Sequence, residues 1–182
     1  PNDWHAQLAS AAKSNAQATG KGQIYLAFWT RFLERVHIEK PDWTKSKTPQ
    51  VAGWITVPSK IKGAQNGISF AAGGQLRTEL YIDDGDGEAN LALFQHLHSH
   101  QAEIEAVFGG PLSWEELPSR RACRIAAYAP GDSVNQDQWE AYIDWFLATG
   151  TKLRAALEPF AVSYPPNLDL SGSELLGGMG PG

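Results

Sequence analysis

Apolar and polar side chains alternate along residues 75–83. One parity carries Leu76, Thr78, Leu80 and Ile82, and the other carries Arg77, Glu79 and Tyr81. A period of two is typical of an antiparallel strand with one buried face and one solvated face. An Asp-Gly-Asp-Gly turn follows at 84–87, and apolar positions then recur at helical spacing over 88–108. The predicted buried stripe of that helix is Leu93, Phe94, Leu97, Ile104, Val107 and Phe108.

The same two periods predict the remaining elements. Residues 23–40 form an amphipathic helix that ends before Pro41, because the residue ahead of a proline leaves the α region. Strands are predicted at 53–58 and at 68–71, the second opened by Asn66-Gly67 and joined to 75–83 by a Gly73-Gly74 hairpin. Segments 112–117 and 121–128 form a second hairpin. The last helix covers 137–160, with Gly150 a weak point that costs about 1 kcal/mol relative to alanine.

The order α, β, β, β, α, β, β, α favours an α+β fold. We expect an antiparallel sheet of about five strands with helices packed on one face. Residues 1–22 are predicted to be a linker or weak helix, 23–160 a single α+β domain, and 161–182 a disordered tail. Five side chains on the three helical stripes are expected to share one core: Trp29, Phe32, Leu97, Ile104 and Trp145.

Composition sets the broad class of protein. A chain of 182 residues, 42% of them hydrophobic, can bury one core. The single cysteine, Cys123, cannot form an internal disulfide and falls on an apolar strand face, where a small core residue is expected. No apolar run reaches the 18 or so residues of a membrane span. We therefore expect a cytoplasmic protein without membrane partners.

Charge is unevenly distributed along the chain, whose formal net charge is −5. Residues 40–78 carry six basic side chains against Asp42, whereas residues 79–118 carry nine acidic side chains and no lysine or arginine. Any nucleic-acid affinity is therefore expected to be weak, salt-sensitive and centred on the basic run. The predicted contact residues are Lys45, Lys47, Lys60, Lys62 and Arg77. Reversing Lys60 and Lys62 to Glu is expected to weaken binding without unfolding the protein.

Histidine and carboxylate patterns suggest metal sites, but each pattern is incomplete. His96 and His100 have the i, i+4 spacing of zinc ligands, yet the HExxH signature is absent, and surface histidines are the simpler interpretation. An EF-hand aligned on Gly87 would place Ile82 and Leu93 at positions that require oxygen ligands. The acidic turn is therefore sufficiently explained as a favourable helix start, and a weaker magnesium site there is the alternative left open.

Known catalytic motifs are also missing. A restriction-endonuclease-like site needs Glu-x-Lys, and Tyr81 stands where the lysine should be. No serine elbow, Walker loop or dinucleotide-binding glycine pattern occurs. The sequence thus assigns no catalytic residue, no metal ligand and no cofactor.

The polar face of the predicted sheet is the remaining candidate site. Its predicted members are Arg77, Glu79 and Tyr81 on one strand, and Arg120, Arg124 and Tyr128 on another. Charged and aromatic side chains together form the platforms that single-strand binders use. The competing interpretation is a plain cross-strand Arg–Glu pair on a solvated sheet, which contributes less than about 1 kcal/mol.

Residues 23–160 resemble bacterial proteins that carry the domain of unknown function 4268. The resemblance rests on Phe28-Trp29, Trp54, Gly67-Ile68, the ELYID stretch at 79–83, Asn90, Phe94, Ile104-Glu105, Phe108-Gly109, Leu112, Trp114 and the RACRI stretch at 121–125. The family occurs as stand-alone proteins and downstream of restriction-endonuclease-like domains, which implies a setting of DNA restriction or phage defence. The opening Pro-Asn-Asp-Trp is similar to the segment that joins such an upstream domain. The resemblance transfers no catalytic residue.

Three functional hypotheses follow. The leading one is a non-catalytic recognition or assembly module of a bacterial DNA-processing or phage-defence system, working beside a nuclease. Its partners would be DNA, bound weakly, or an upstream or separate nuclease domain. The alternatives are a metal-dependent nuclease or hydrolase that uses Glu79 and Asp83, and a protein–protein interaction domain.

Overall fold

The computed structural model of the protein describes residues 20–162 and residue 164. Its elements, in chain order, are α1 (Gly20–Glu39), β1 (Trp54–Pro58), β2 (Ala64–Ala71), β3 (Gln75–Ile82), α2 (Gly87–Ser99), α3 (Gln101–Phe108), β4 (Ser113–Glu115), β5 (Cys123–Pro130), a 3-10 turn (Gln136–Gln138) and α4 (Trp139–Val162). The predicted tail and residues 1–19 of the predicted linker lie outside the described residues, apart from the end of α4 and Tyr164. Residues 20–22 of that linker already belong to α1.

The strands form one antiparallel sheet in the order β1-β2-β3-β5-β4. The predicted α+β class with an antiparallel sheet of five strands is therefore confirmed. Helix α2 contacts strands β3 and β5, and helix α4 contacts β3. Helix α1 packs against α4. No helix in the described part of the chain combines the length and the apolar character that crossing a bilayer requires.

Two hydrophobic clusters occupy the helical side of the sheet. The first joins α1 and α4 to one end of the sheet and is built on rings; Phe28 meets Trp29, Phe70 and Trp139 edge to face, with centroids 5.0, 4.7 and 5.4 Å apart. The second joins α2, α3 and the end of α4 to Leu80, Ile82 and Ile125. Burying one large apolar side chain contributes about 1.5–3 kcal/mol, so both clusters contribute substantially to stability.

The division into two clusters corrects the expectation of a single core. Trp29 and Phe32 lie in the first cluster, Leu97 and Ile104 lie in the second, and Trp145 is half-buried against the first. The reason is the length of the sheet. Its eight-residue strands extend about 26 Å, at about 3.3 Å per residue, so α1 and α2 cover different ends of the same face.

The predicted helix 88–108 is two helices that meet at His100. The Ser99 hydroxyl donates to the His96 carbonyl at 2.6 Å, and short polar side chains that bond the backbone in this way compete with helical hydrogen bonds. The second of the two helices, α3, buries Ile104 alone. Val107 is 58% exposed, so its predicted place in the buried stripe is wrong.

Strand β2 begins at Ala64, earlier than the predicted 68, and Asn66-Gly67 lie inside it. Asn66 is buried, and its side-chain amide donates to the Pro58 carbonyl at 3.3 Å, which ties β2 to the end of β1. At the other edge, the predicted strand 112–117 is shortened to Ser113–Glu115. Leu117 has a positive φ of 53°, which ends extended backbone before Pro118.

Gly150 packs against a side chain from another segment, which corrects its interpretation as a weak point of the helix. Trp43, which follows α1, lies against Gly150 on α4, and a Cβ at 150 would sit 2.8 Å from the Trp43 ring. The Arg154 guanidinium covers the same ring at 4.4 Å. Glycine therefore allows the indole to approach the helix backbone closely.

We expect Gly150→Ala to destabilise the protein by about 1–3 kcal/mol, although alanine favours a helix, because the added methyl overpacks the contact with Trp43. Denaturant unfolding of the variant measures the effect. Adding Trp43→Leu should remove most of the penalty of the alanine, and a purely additive double variant would show that the indole is not the cause.

We expect Ile104→Ala to lower the free energy of unfolding by about 2–5 kcal/mol, because Ile104 is fully buried in the second cluster. Val107→Ala is the matched control, since Val107 is exposed on the same short helix. Equal midpoints for the Ile104→Ala variant and the wild type in denaturant would contradict the burial of this side chain.

Candidate functional site

The face of the sheet opposite the helices carries three rows of side chains that run across the strands. The first row is Trp54, Ser69, Arg77 and Tyr128; the middle row is Thr56, Gly67, Glu79, Ala126 and Ser113; the third row is Pro58, Gln65, Tyr81, Arg124 and Glu115. We call these residues the polar face. Five of the side chains predicted for this face, Arg77, Glu79, Tyr81, Arg124 and Tyr128, lie on it together, whereas Arg120 lies in the turn before β5.

Glu79, at the centre of the polar face, is only 7% exposed. Its neighbours across the strands are Gly67 on β2 and Ala126 on β5. A Cβ at position 67 would lie 2.7 Å from the Glu79 Oε1 atom and 2.8 Å from its Cγ atom, so the side chain lies directly over the glycine. Glycine within a strand often marks such a close approach.

Two arginines neutralise this buried carboxylate. Arg77 Nε lies 3.0 Å from Glu79 Oε2, and the Arg124 guanidinium contacts the same oxygen. Burial raises the pKa of the Glu79 carboxyl, whereas the charges of Arg77 and Arg124 oppose that rise. Because an ionised carboxylate is costly to bury alone, both arginines are held close to it.

Arg124 extends the charge network toward β4. Its Nη1 atom lies 3.3 Å from Glu115 Oε1, and the Tyr128 hydroxyl donates to Glu115 Oε2 at 2.7 Å. Burial, together with this bond to Glu115, raises the pKa of the Tyr128 hydroxyl. The Arg124 guanidinium also lies over the Tyr81 ring, 6.0 Å from its centroid. The face is thus a connected network of charges and rings across β3, β4 and β5.

A concave pocket of about 630 Å³ opens on the polar face. Its lining residues include some side chains from each of the three rows and from the turn that follows β4, namely Trp54, Thr56, Gln65, Ser69, Arg77, Glu79, Tyr81, Leu117, Arg120 and Arg124. Trp54 is 58% exposed at the edge strand. Arg120 is exposed in the turn, and it forms no ion pair with any carboxylate in residues 20–162 and 164. The pocket therefore combines aromatic surface with one unpaired cation.

Several pocket residues were not identified as site residues from the sequence. Trp54, Thr56, Gln65 and Ser69 come from β1 and β2. Because β2 was predicted to begin at 68, Gln65 and Gly67 were assigned to a loop. The sequence also did not determine which strands pair, and therefore not which residues share a row. The alternation of exposed Trp54 and Thr56 with buried Ile55 and Val57 was the available signal.

The predicted lysine contacts lie away from the pocket. Lys60 and Lys62 are exposed in the β1–β2 loop, and Lys62 borders a different cavity beside Asp84. Lys45 and Lys47 are exposed in the segment between α1 and β1, which Trp43 anchors to α4. Of the five predicted nucleic-acid contacts, Arg77 is the one that lines the pocket, and it is paired with Glu79.

Asp83 forms its ion pair and hydrogen bonds with residues other than those that contact Glu79. Arg121 binds its two oxygens at 2.8 and 3.1 Å, and Asn90 donates to Oδ1 at 3.3 Å. The bond from Arg121 is the main reason why the pKa of Asp83 is lowered. Arginines 121 and 124 thereby partly neutralise the acidic side chains of residues 79–118. Acidic and basic side chains are therefore less separated in space than along the sequence.

The three histidines of α2 and its end make separate contacts. His96 Nε2 lies 2.9 Å from the Phe160 carbonyl, His100 Nδ1 lies 3.2 Å from Glu103, and the His98 ring stacks on Phe94. Within the described ranges, no three His, Cys, Asp or Glu side chains are grouped so that they could hold a metal ion. Cys123 is buried, and its burial raises the pKa of the thiol, as expected of a core residue.

A profile of the family described as Domain of unknown function (DUF4268) matches residues 24–161. This range includes every element that forms the polar face and the pocket. No curated protein and no solved structure matches the chain.

We expect Gly67→Ala to destabilise the protein by about 1–3 kcal/mol, because the new methyl occupies the space that Glu79 uses above β2. Gly110→Ala is the control, since a Cβ at 110 meets no atom within 4 Å. Unfolding midpoints in denaturant measure both. A neutral Gly67→Ala variant would show that the carboxylate does not lie over the glycine.

Proposed function

We propose that this chain, which belongs to the DUF4268 family, is a non-catalytic recognition module that binds single-stranded nucleic acid on its polar face. The observation that carries the proposal is the pocket in which the Trp54 and Tyr81 rings stand beside Arg77, Arg120 and Arg124. Proteins that bind single strands combine aromatic rings, on which bases stack, with cations that meet the phosphates. The pocket presents both on one face of the sheet.

The geometry supports binding better than metal-dependent hydrolysis. Asp83 directly follows β3, four residues after Glu79, and extended backbone at about 3.3 Å per residue separates their Cα atoms by about 13 Å. Arg77 and Arg124 pair with Glu79, and Arg121 pairs with Asp83. The two carboxylates of the hydrolase alternative therefore serve as partners of arginines, and they do not converge on a common point.

The balance of charge on the polar face implies a weak affinity, with a smaller salt dependence than contacts along the lysine run would give. Arg77 and Arg124 are largely compensated by Glu79 and Glu115, so Arg120 is the main cation available to a phosphate. Few phosphate contacts mean few released counterions and a shallow salt dependence. Most of the binding energy would then come from stacking on the rings, which contributes about 1–3 kcal/mol per base.

The setting of a bacterial DNA-processing or phage-defence system, beside a nuclease, is part of the same proposal. It rests on the resemblance to proteins in which this domain follows restriction-endonuclease-like domains. A recognition module that holds a strand near such a nuclease needs no catalytic residue of its own. A protein–protein interaction role is the alternative if nucleic acid does not bind.

We expect Arg120→Glu to weaken binding of a single-stranded oligonucleotide and to reduce the slope of log affinity against log salt by about one unit. The exposed position of Arg120 leaves the fold intact. Fluorescence anisotropy at low and moderate salt measures both effects, with thermal unfolding of each variant as the check on folding.

Lys60→Glu/Lys62→Glu is the contrasting variant. The charge pattern of the sequence predicts that it weakens binding, whereas a contact in the pocket predicts unchanged affinity, because both positions lie outside the pocket. A loss confined to this double variant would move the contact to the β1–β2 loop. No binding by the wild-type protein at low salt, to single-stranded or double-stranded DNA, would favour a protein partner instead.

A further inference from the structure

The pocket on the polar face has the dimensions of a small-molecule site. Its volume of about 630 Å³ falls within the range of about 300–1,000 Å³ that is usual for such sites. The turn after β4 borders it, with Leu117 held at a positive φ of 53° and Arg120 donating its backbone N–H to the Leu117 carbonyl at 2.8 Å. A general single-strand binder instead uses a groove that follows the backbone over about 4–16 nucleotides.

Ser69 indicates that a polar ligand belongs in this pocket. The residue is 3% exposed and lines the pocket, yet its hydroxyl has no hydrogen-bond partner in the described part of the chain. Its neighbours in the row are Trp54 on β1 and Arg77 on β3. Buried hydroxyls nearly always have a hydrogen-bond partner, because a buried hydroxyl without a hydrogen bond costs about 1–3 kcal/mol. The ligand therefore needs a polar group at this point.

The remaining lining residues define the chemistry of that ligand. Trp54 and Tyr81 offer flat aromatic surface, while Thr56 and Gln65 offer polar groups to a base or a sugar. One uncompensated cation, Arg120, suits a single phosphate better than a polyphosphate chain, because Arg77 and Arg124 already face Glu79 and Glu115. An aromatic base, a polar sugar and one phosphate are the parts of a nucleotide.

We propose that the pocket holds one nucleoside monophosphate unit, with its base against Trp54 or Tyr81 and its phosphate at Arg120. The inference deepens the proposed function, because the same unit occurs as the phosphorylated end of a single strand and as a free nucleotide. Both sources share the chemistry that the pocket recognises. Recognition of a strand end also differs from binding along a strand.

The test uses the whole chain and three kinds of probe in equilibrium binding. The first is a linear single-stranded oligonucleotide with a 5′ phosphate and a fluorophore on an internal base. The second is the same oligonucleotide closed into a circle. The third is a set of unlabelled nucleoside 5′-monophosphates added as competitors.

We expect the linear probe to bind about tenfold tighter than the circle and to be displaced by the monophosphates. Displacement without a preference for the linear probe would support the pocket and assign it to free nucleotides. Equal affinity for both oligonucleotides, without displacement, would overturn the inference and leave the proposed function standing. If neither oligonucleotide binds, the proposed function fails, and direct calorimetry with the monophosphates then decides the pocket: binding supports it and no binding overturns it.

Variants connect the result to the pocket. Ser69→Ala should lower affinity for the best-bound probe by about tenfold, as expected for loss of one hydrogen bond, without lowering the unfolding midpoint. Trp54→Ala should lower it by about 5- to 150-fold, while Trp54→Phe retains the stacking surface. Val134→Ala is the control, since Val134 is an exposed apolar side chain outside the pocket. A Ser69→Ala variant that loses stability but not affinity would contradict a ligand role for the hydroxyl.

Discussion

The buried carboxylate of Glu79 constrains the rest of the polar face. A carboxylate removed from water needs opposite charges nearby, and Arg77 and Arg124 provide them. Its position over β2 requires glycine at 67. Removing one partner of such a buried pair typically costs about 3–5 kcal/mol, because the other charge is left unpaired. The composition of the face is thus set by electrostatics as much as by any ligand.

A second carboxylate, Glu105, connects this face to the helices. Its Oε1 atom accepts from the Leu112 backbone N–H and the Trp114 indole N–H, both at 3.0 Å, and from the Gln101 amide at 3.2 Å. The bond from Leu112 is the largest cause that lowers the pKa of Glu105. These bonds attach the short strand β4 to α3. Since β4 carries Glu115, they also position the carboxylate that holds Arg124 and Tyr128.

The arrangement is compatible with the proposed binding of an anion by an acidic protein. The helices cover one face of the sheet, so the opposite face is available to a ligand. Its charges are almost balanced in place, and a single exposed arginine at the border adds the cation that the network does not use. In the proposed complex, affinity would depend on aromatic contact and on hydrogen bonds within the pocket, which a net charge of −5 does not prevent.

Periodicity along the sequence determined the class of fold, most of the elements, and the parity that places Arg77, Glu79 and Tyr81 on one face, because alternation is a local property of a strand. Which residues share a row depends on register. Register is set by the hydrogen bonds that pair β2 with β3 and β3 with β5. Strands β3 and β5 are distant in the chain, and no local pattern specified their alignment. For that reason Trp54, Gln65 and Ser69 were absent from the predicted site, and Gly150 was taken for a weak helix position although it contacts Trp43. The sequence by itself thus determined which faces are polar, whereas only tertiary packing decided which side chains surround one pocket, since a pocket is formed by residues far apart in the chain.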